Sequence, residues 1–235
     1  MSAAKESELI RVEHLKKVYK SKNIEYVAIT DISLSVKKGE FITVLGPSGS
    51  GKTTLMNLIG ALDKPTGGKI FIEGVDISTL NDNELAKIRN DKIGFIFQSY
   101  NLVPYLTSLE NVMLPLVVEN KRDQQHMEMG KQMLTLVGLG AKFEKRPNEL
   151  SGGEQQRVAI VRSLMNDPAI ILADEPTGNL DSKTSQKVLS LLIDLCKKKG
   201  ITIMIVTHDP NIAKLSERSI FIKDGLIEKM TKVRP

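Results

Sequence analysis

A glycine-rich segment, Gly46–Thr53 (GPSGSGKT), constrains this chain more than any other feature. It matches the pattern G-x-x-x-x-G-K-[ST], directly follows the apolar run Phe41–Leu45 and directly precedes the helical pattern Thr54–Ile59. Between a strand and a helix, such a loop turns successive backbone N–H groups inward to hold phosphate oxygens, and the helix N-terminus adds its positive dipole end. A flexible Gly/Ser turn is the alternative, but these flanks favour a nucleotide site.

The residues of this loop have distinct predicted roles. Lys52 is expected to reach the β- and γ-phosphates of the nucleotide, and the Thr53 hydroxyl is expected to bind Mg²⁺. The predicted phosphate-binding set is Gly46, Ser48, Gly49, Ser50, Gly51, Lys52, Thr53 and Thr54.

Short apolar runs elsewhere in the chain are typical of strands buried on both faces, because they are continuously apolar rather than alternating. Helical patterns separate them, which favours a parallel sheet covered by helices. The best-marked helix is predicted over about Ser182–Lys199, capped by Asp181 and followed by Gly200. The predicted strands are Phe41–Leu45, Ile93–Phe97, Ala169–Ala173 and Ile201–Val206.

Two parts of the chain differ from this pattern. Leu9–Leu15 and Tyr26–Val36 show more alternation, as in antiparallel strands with one wet face. Residues from about Asn101 to Pro147 have a helical pattern, are rich in Met and Gln, and lack the Val and Ile density of the sheet. This change of composition predicts a helical subdomain inserted into the α/β core.

Composition limits the class of protein. The 235 residues carry a formal net charge of +5 and one cysteine, Cys196, which excludes a disulfide framework and a four-cysteine zinc module. We expect Cys196 to be a core or half-buried residue. The start of the chain has no apolar core of signal-peptide length, and the longest apolar run, Val112 to Val118, is shorter than the roughly 20 residues that span a bilayer. A cytoplasmic protein is expected, with any membrane role exerted through a partner.

A basic run, Lys197–Lys199, closes the helix predicted over about Ser182–Lys199. Cations are favourable at the negative end of a helix dipole, and no aromatic residue interleaves these lysines. No nucleic-acid partner is therefore expected.

A second predicted strand ends in two acids, Asp174 and Glu175. In open α/β sheets ligands bind beyond the carboxyl ends of the strands, so both carboxylates are expected to face the phosphates. Asp174 suits binding Mg²⁺, directly or through water, and Glu175 suits orienting or deprotonating the attacking water. A purely structural pair is the alternative, but adjacent acids at the end of a buried strand are costly without a cation nearby.

Another candidate anion site lies at Leu150–Arg157 (LSGGEQQR). Its Ser-Gly-Gly opens a helical pattern, so the amides form a second helix N-terminus of the kind that binds anions. One nucleotide does not need two such sites from one chain. With this segment the chain resembles the ATP-binding cassette (ABC) family, in which Ser151, Gly152 and Gly153 of the LSGGQ-type signature would close on ATP bound by the opposite subunit. Glu154 departs from the commonest residue of that motif, Gln.

The resemblance implies roles for residues that match the family's other motifs in order. Gln98 would contact Mg²⁺ and the attacking water, Asp181 would lie across the dimer interface, and His208 would contact the γ-phosphate. Tyr19 resembles the aromatic residue that stacks on adenine, with Tyr26 as the competing choice. The implied catalytic residues are Glu175, His208 and Gln98, and the implied Mg²⁺ ligands are Thr53, Gln98 and Asp174.

The fold class that the resemblance implies is α/β: a P-loop NTPase with a mostly parallel core sheet, an N-terminal antiparallel β subdomain and an inserted helical subdomain. We expect a single domain over residues 1–235. Residues 1–98 and 166–235 would form the α/β core with its antiparallel part, and residues 99–165 would form the helical signature subdomain.

The stretch Phe97–Leu116, together with Thr177–Ser182, resembles the lipoprotein-releasing, macrolide-export and antimicrobial-peptide-resistance group of the family. This implies an ATP-hydrolysing motor that dimerises head to tail around two Mg·ATP. It would drive a separate membrane permease with a large extracytoplasmic domain, from the cytoplasmic face of the membrane. The alternative is the cell-division ATPase of similar architecture, whose permease activates wall hydrolases without moving a solute.

Two further expectations follow from this resemblance. Residues 209–235 leave no room for the regulatory domain of several sugar and amino-acid importers, which favours the exporter-like group. The segment Tyr100–Leu116 is expected to form part of the surface that receives the permease, because it directly follows Gln98 and is more apolar than a free loop. The alternative for this segment is a place in the core of the helical subdomain.

Overall fold

The structure, a computed structural model, describes residues 8–21, 24–117, 121 and 123–232. The side chain of Cys196 and the end of the apolar run at Val118 lie outside the described part of the chain. The strands are β1 (Glu8–Ser21), β2 (Ile24–Lys37), β3 (Phe41–Leu45), β4 (Gly67–Ile72), β5 (Val75–Asp76), β6 (Ile93–Ile96), β7 (Ile170–Asp174), β8 (Thr202–Val206), β9 (Arg218–Lys223) and β10 (Leu226–Lys232). The helices are α1 (Lys52–Ile59), α2 (Asp82–Lys92), α3 (Ser108–Val117), α4 (Gln124–Leu136), α5 (Gly152–Leu164), α6 (Ser182–Lys199) and α7 (Pro210–Ala213).

These strands form one 10-stranded sheet in the order β5-β4-β1-β2-β10-β9-β3-β8-β7-β6. The block β9-β3-β8-β7-β6 is parallel, whereas β5-β4-β1-β2 is antiparallel. The antiparallel hairpin β9–β10 joins the two blocks, and β10 meets β2 in parallel at Leu226 and Asp31. The predicted fold class is confirmed, including the antiparallel part near the N-terminus.

The continuous apolar runs are strands, as predicted. β3 has the predicted bounds, β6 ends one residue early at Ile96, and β7 and β8 start one residue late, at Ile170 and Thr202. The predicted helix Ser182–Lys199 is α6, with Gly200 in the left-handed conformation after its end. Strands β4, β5, β9 and β10 and helices α2 and α7 were not predicted.

The helical pattern predicted from Asn101 to Pro147 was wrong over part of that range. Helix covers only Ser108–Val117 and Gln124–Leu136 within the described residues of this range. The preceding loop is stabilised instead by the fully buried side chain of Asn111. Its Oδ1 accepts from the Val103 N–H at 2.7 Å, and its Nδ2 donates to the carbonyls of Val103, Leu106 and Thr107. These bonds satisfy the backbone groups that a helix would otherwise pair.

The core sits on both faces of the parallel block, and a third apolar cluster lies among α3, α4 and α5. Parallel strands bring their carboxyl ends to one edge of the sheet. Val206 of β8 pairs with both Val44 of β3 and Asp174 of β7, so the segments that follow these strands start side by side. No helix in the described part of the chain combines the length and apolarity needed to cross a membrane.

Candidate active site

The phosphate loop is wedged between two strands. A Cβ atom on Gly46 would lie 2.1 Å from the carbonyl oxygen of Ile222, and one on Gly51 would lie 2.4 Å from that of Ala28. Both residues have positive φ, at 153° and 101°. Only glycine fits these two positions, because a side chain would collide with backbone that cannot move aside.

The first turn of α1 is open toward this loop. Gly51 is the N-cap residue and has no side chain to accept a hydrogen bond from the helix amides, and the first turn carries no acidic residue. Unpaired amides and the positive dipole end favour an anion there. The hydroxyl of Ser50, only 3% exposed, has no hydrogen-bond partner among the described residues. These features fit a bound phosphate group.

Lys52 lies across the same loop. Its Nζ donates to the carbonyl oxygens of Gly46 at 2.9 Å and of Pro47 at 2.7 Å. Burial holds the pKa of Lys52 below its ordinary value, while the negative charges of Glu175 and Asp174 act in the opposite direction. The lysine therefore lies within electrostatic reach of both acids.

Asp174 ends β7 next to the start of α1. The Thr53 hydroxyl donates to Oδ2 of Asp174 at 3.3 Å, so two of the predicted Mg²⁺ ligands lie side by side. Burial raises the pKa of Asp174, the nearby charge of Glu175 adds to the effect, and Thr53 and Lys52 oppose it. A half-buried carboxylate that is costly to ionise is suited to binding a cation.

The carboxylate of Glu175 is held by the residues that follow β8. Its Oε2 accepts from the Thr207 hydroxyl at 2.9 Å, and its Oε1 accepts from the backbone N–H of His208 at 2.8 Å. Nδ1 of His208 lies 2.6 Å from the same Oε1. An ionised carboxylate only accepts, so the network places the ring proton on Nδ1. Glu175 has φ of 45°, a conformation uncommon outside glycine and often found at functional sites.

Gln98 lies against the loop after Glu175. Its Nε2 donates to Oδ1 of Asn179 at 3.4 Å, and Nδ2 of Asn179 donates to the Gln98 carbonyl at 3.0 Å. A Cβ on Gly178 would lie 2.8 Å from Nε2 of Gln98. Sequence reasoning did not single out Asn179, although it lies within the stretch Thr177–Ser182 that carries the family resemblance.

Tyr19 and Tyr26 are direct cross-strand partners in the hairpin β1–β2, so both rings lie on the same face of the sheet. The Tyr26 hydroxyl donates to the Gly49 carbonyl of the phosphate loop at 3.0 Å. The Tyr19 hydroxyl donates to Oδ2 of Asp63 at 2.9 Å, and Nζ of Lys17 lies 4.8 Å from the centre of the Tyr19 ring. Burial, followed by Asp63, raises the pKa of Tyr19. Asp63 and Lys17 were not predicted, since only the fold brings them to this tyrosine.

The signature segment caps α5. Oγ of Ser151 accepts from the Glu154 N–H at 3.3 Å, and Oε2 of Glu154 accepts from the Ser151 N–H at 2.8 Å. Glu154 therefore completes a capping box, a role that its carboxylate can fill as well as the more usual Gln. The hydrogen bond from the Ser151 amide lowers the pKa of Glu154. A Cβ on Gly153 would lie 2.4 Å from Cγ2 of Thr184 in α6, so these two helices pack closely at the signature.

Asp181 caps α6, as the sequence predicted. Its Oδ1 accepts from the backbone N–H groups of Lys183 at 3.0 Å and Thr184 at 3.1 Å. The same residue was predicted to lie across a dimer interface, and its exposed position is compatible with both roles.

The chain is similar to proteins of one known family. Residues 29–178 match the model of the family described as ABC transporter. An ABC transporter ATP-binding protein of Methanocaldococcus jannaschii, MJ0796, is 48% identical over 96% of this chain and 98% of its own length. A solved dimeric structure of MJ0796 in a post-hydrolysis state with ADP and Pi aligns with a TM-score of 0.90 and 45% identity, over 97% of this chain and 100% of that one.

Two further relatives belong to the same family. The lipoprotein-releasing system ATP-binding protein LolD of Aquifex aeolicus is 45% identical over 97% of this chain and 100% of its own length. The macrolide export ATP-binding/permease protein MacB of Syntrophobacter fumaroxidans is 46% identical over 94% of this chain, which spans 31% of that protein. The chain therefore belongs to the ABC transporter family, as one of its ATP-binding ATPase subunits.

Proposed function

We propose that this chain is the motor subunit of a transporter: it binds Mg·ATP, dimerises head to tail around two ATP molecules, hydrolyses them and drives a separate membrane permease. One observation carries the proposal. Lys52, Thr53, Asp174, Glu175 and His208 meet at the carboxyl edge of the parallel strands, where a triphosphate would lie against the N-terminus of α1.

The phosphate loop supplies binding. Its backbone N–H groups and Lys52 would hold the phosphates, and the unpartnered Ser50 hydroxyl fits an additional donor to them. Thr53 and Asp174, with Gln98, would hold Mg²⁺, which when bound offsets the negative charge of the triphosphate. Tyr19 would stack on the adenine, because Asp63 fixes its hydroxyl and leaves the ring at the edge of the site.

Glu175 would act as general base on the attacking water. A carboxylate offers about four lone-pair positions, and Thr207, the His208 amide and the His208 ring occupy three of them. No described residue occupies the remaining position, on Oε2, which could accept a proton from water. His208 would contact the γ-phosphate from the other side of this carboxylate. Its side chain is 77% exposed and can reach a bound nucleotide.

A second subunit would complete the site. Ser151, Gly152 and Gly153 form the N-terminus of α5, an element separate from the phosphate loop, and the family resemblance implies a second anion-binding end there. A head-to-tail dimer lets each signature meet the nucleotide bound by the other subunit. The dimeric structure of MJ0796 with bound ADP and Pi supports dimerisation in the presence of nucleotide.

An apolar groove beside the loop that follows Gln98 would receive the permease. It measures about 550 Å³ and is lined by Leu62, Phe95, Phe97, Leu114 and Pro115 among others. Nearby, Val103 and Tyr105 are exposed, Tyr105 by 83%, whereas Val112, Met113 and Leu116 pack in the helical core. The segment Tyr100–Leu116 thus contains both a surface and a core part. We place the chain at the cytoplasmic face of the membrane, held by a permease with a large extracytoplasmic domain, as in export or lipoprotein and peptide extrusion.

The test combines hydrolysis with partner capture. Purified protein should release phosphate from ATP in the presence of Mg²⁺, and Glu175→Gln should lose this activity while Glu128→Gln, an exposed control on α4, retains it. Affinity capture from detergent-solubilised membranes should recover a multi-helix permease. A chain that binds ATP but never hydrolyses it would contradict the motor proposal, and capture of wall hydrolases with the permease would favour the cell-division role.

A further inference from the structure

The loop that leaves Gln98 turns through two consecutive non-glycine residues in the left-handed conformation. Tyr100 has φ of 61° and Asn101 has φ of 50°. Side chains disfavour this conformation, so surrounding contacts have to maintain it. Within the turn, the Asn101 N–H donates to the Ser99 carbonyl at 2.6 Å, and the Ser99 hydroxyl donates to Oδ1 of Asn101 at 2.9 Å.

Arg162, from the last turns of α5, holds the outside of this loop. Its Nη1 donates to the Asn101 carbonyl at 2.6 Å, and its Nη2 donates to the Tyr100 carbonyl at 2.8 Å. No ion pair among the described residues involves Arg162, and burial lowers its pKa. The planar guanidinium thus donates to two adjacent carbonyls of the left-handed turn.

Tyr100 also reaches the opposite end of the same helix. A Cβ atom on Gly152 would lie 2.7 Å from the Tyr100 hydroxyl oxygen, so the phenol rests on the first residue of α5. Gly152 and Arg162 are roughly 15 Å apart along the helix axis. The side chains of Arg162 and Tyr100 together therefore connect the last turns of the signature helix with its first residue.

We propose that Arg162 and Tyr100 are positioning residues that fasten the loop of residues 98–101 along the signature helix, so that Gln98 and Ser151 move together. The proposal rests on the proposed function, in which Gln98 faces the ATP of its own subunit and Ser151 faces that of the partner. ATP bound in one site would thereby orient the signature that closes the other. Binding of ATP by a single subunit does not involve the signature and would not depend on this pair.

The experiment uses full-length Glu175→Gln protein, which should retain uncleaved ATP, as the parent. Arg162→Gln added to this parent should leave the affinity for a fluorescent ATP analogue unchanged within about twofold, yet weaken ATP-dependent dimerisation by about tenfold or more, as measured by light scattering. Arg89→Gln is the matched control. Nη1 of Arg89 also donates to a carbonyl of a left-handed residue, Ala61 with φ of 54°, at 2.6 Å, but this carbonyl lies outside the loop that follows Gln98. Arg89→Gln added to the same parent should dimerise with ATP as the parent does.

Tyr100→Ala is the second variant, since it removes the phenol from Gly152 and keeps the carbonyl that Arg162 binds. It should also dimerise more weakly with ATP affinity retained, and it decides the question if Arg162→Gln does not fold. If either folded variant dimerises as the parent does, or if Arg89→Gln weakens dimerisation equally, the positioning role of Arg162 and Tyr100 is wrong. The proposed function would stand in both cases. A parent that stays monomeric with ATP would instead contradict the proposed function, and this proposal with it.

Discussion

The hydroxyl of Thr207 donates to Oε2 of Glu175 at 2.9 Å and accepts from the backbone N–H of Asp209 at 3.1 Å. An amide can only donate, so the single hydroxyl proton is committed to the carboxylate. Thr207 is fully buried and therefore has no water with which to exchange this bond. By occupying one lone pair of Oε2, Thr207 fixes the direction of the other, which is the position that the attacking water would use.

Thr207→Val should lower kcat for ATP hydrolysis roughly tenfold to a hundredfold, because a buried hydrogen bond to a charged group is lost while the shape is kept. Thr207→Ser retains the hydroxyl and should recover most of the rate. Steady-state phosphate release measures both, and KM for ATP should change little. A Thr207→Val protein that hydrolyses ATP at the wild-type rate would mean that the hydrogen bond from Thr207 does not support Glu175.

Lys52→Ala should abolish detectable ATP binding, because the phosphates lose their main protein counter-ion. Titration with a fluorescent ATP analogue is the measurement. Lys198→Ala is a suitable control, since Lys198 pairs at the surface with Asp194 of α6 and no other ion pair of Lys198 is found among the described residues. Undiminished binding by Lys52→Ala would show that the phosphate loop is not the nucleotide site.

Tyr19→Ala should weaken nucleotide binding by about 1–3 kcal/mol, the range for loss of base–aromatic stacking. Tyr26→Phe keeps its ring and loses only the hydrogen bond to Gly49, so it should bind ATP nearly as well as the wild type. Equilibrium titrations of the two variants with ATP show whether Tyr19 or Tyr26 stacks on the adenine. If Tyr19→Ala binds normally and Tyr26→Ala does not, Tyr26 is the adenine-stacking residue.

Tyr105→Arg should reduce capture of the permease from solubilised membranes, because it places a charge on the apolar surface beside the groove. Tyr105 is 83% exposed, so the thermal midpoint of the isolated protein should not change. Met113→Arg offers the contrast: Met113 packs in the helical core, and this change should prevent folding. A fall in the thermal midpoint of Tyr105→Arg would place Tyr105 in the core rather than on the docking surface.

The features that the sequence predicted well are those set by neighbouring residues. A continuously apolar run such as Phe41–Leu45 specifies a buried strand, and Asp181 with Gly200 marks both ends of α6. The contacts that escaped prediction join residues far apart in the chain. Arg162 binds Tyr100, 62 residues away in the sequence, and Lys17 binds Asp63, 46 residues away. No local sequence pattern predicts either pair. The loop before Ser108 was mistaken for helix because periodicity does not show that Asn111 binds its backbone.

The central claim is that ATP itself joins two subunits, and the Glu175→Gln variant tests it most directly. Light scattering after size exclusion should show a dimer with ATP and a monomer with ADP, because ATP that binds the dimer more tightly than the monomer shifts association by mass action. Ser151→Arg in the same background should remain monomeric with ATP, since the new side chain would crowd the second anion-binding end. A Glu175→Gln, Ser151→Arg protein that still dimerises with ATP would contradict the account.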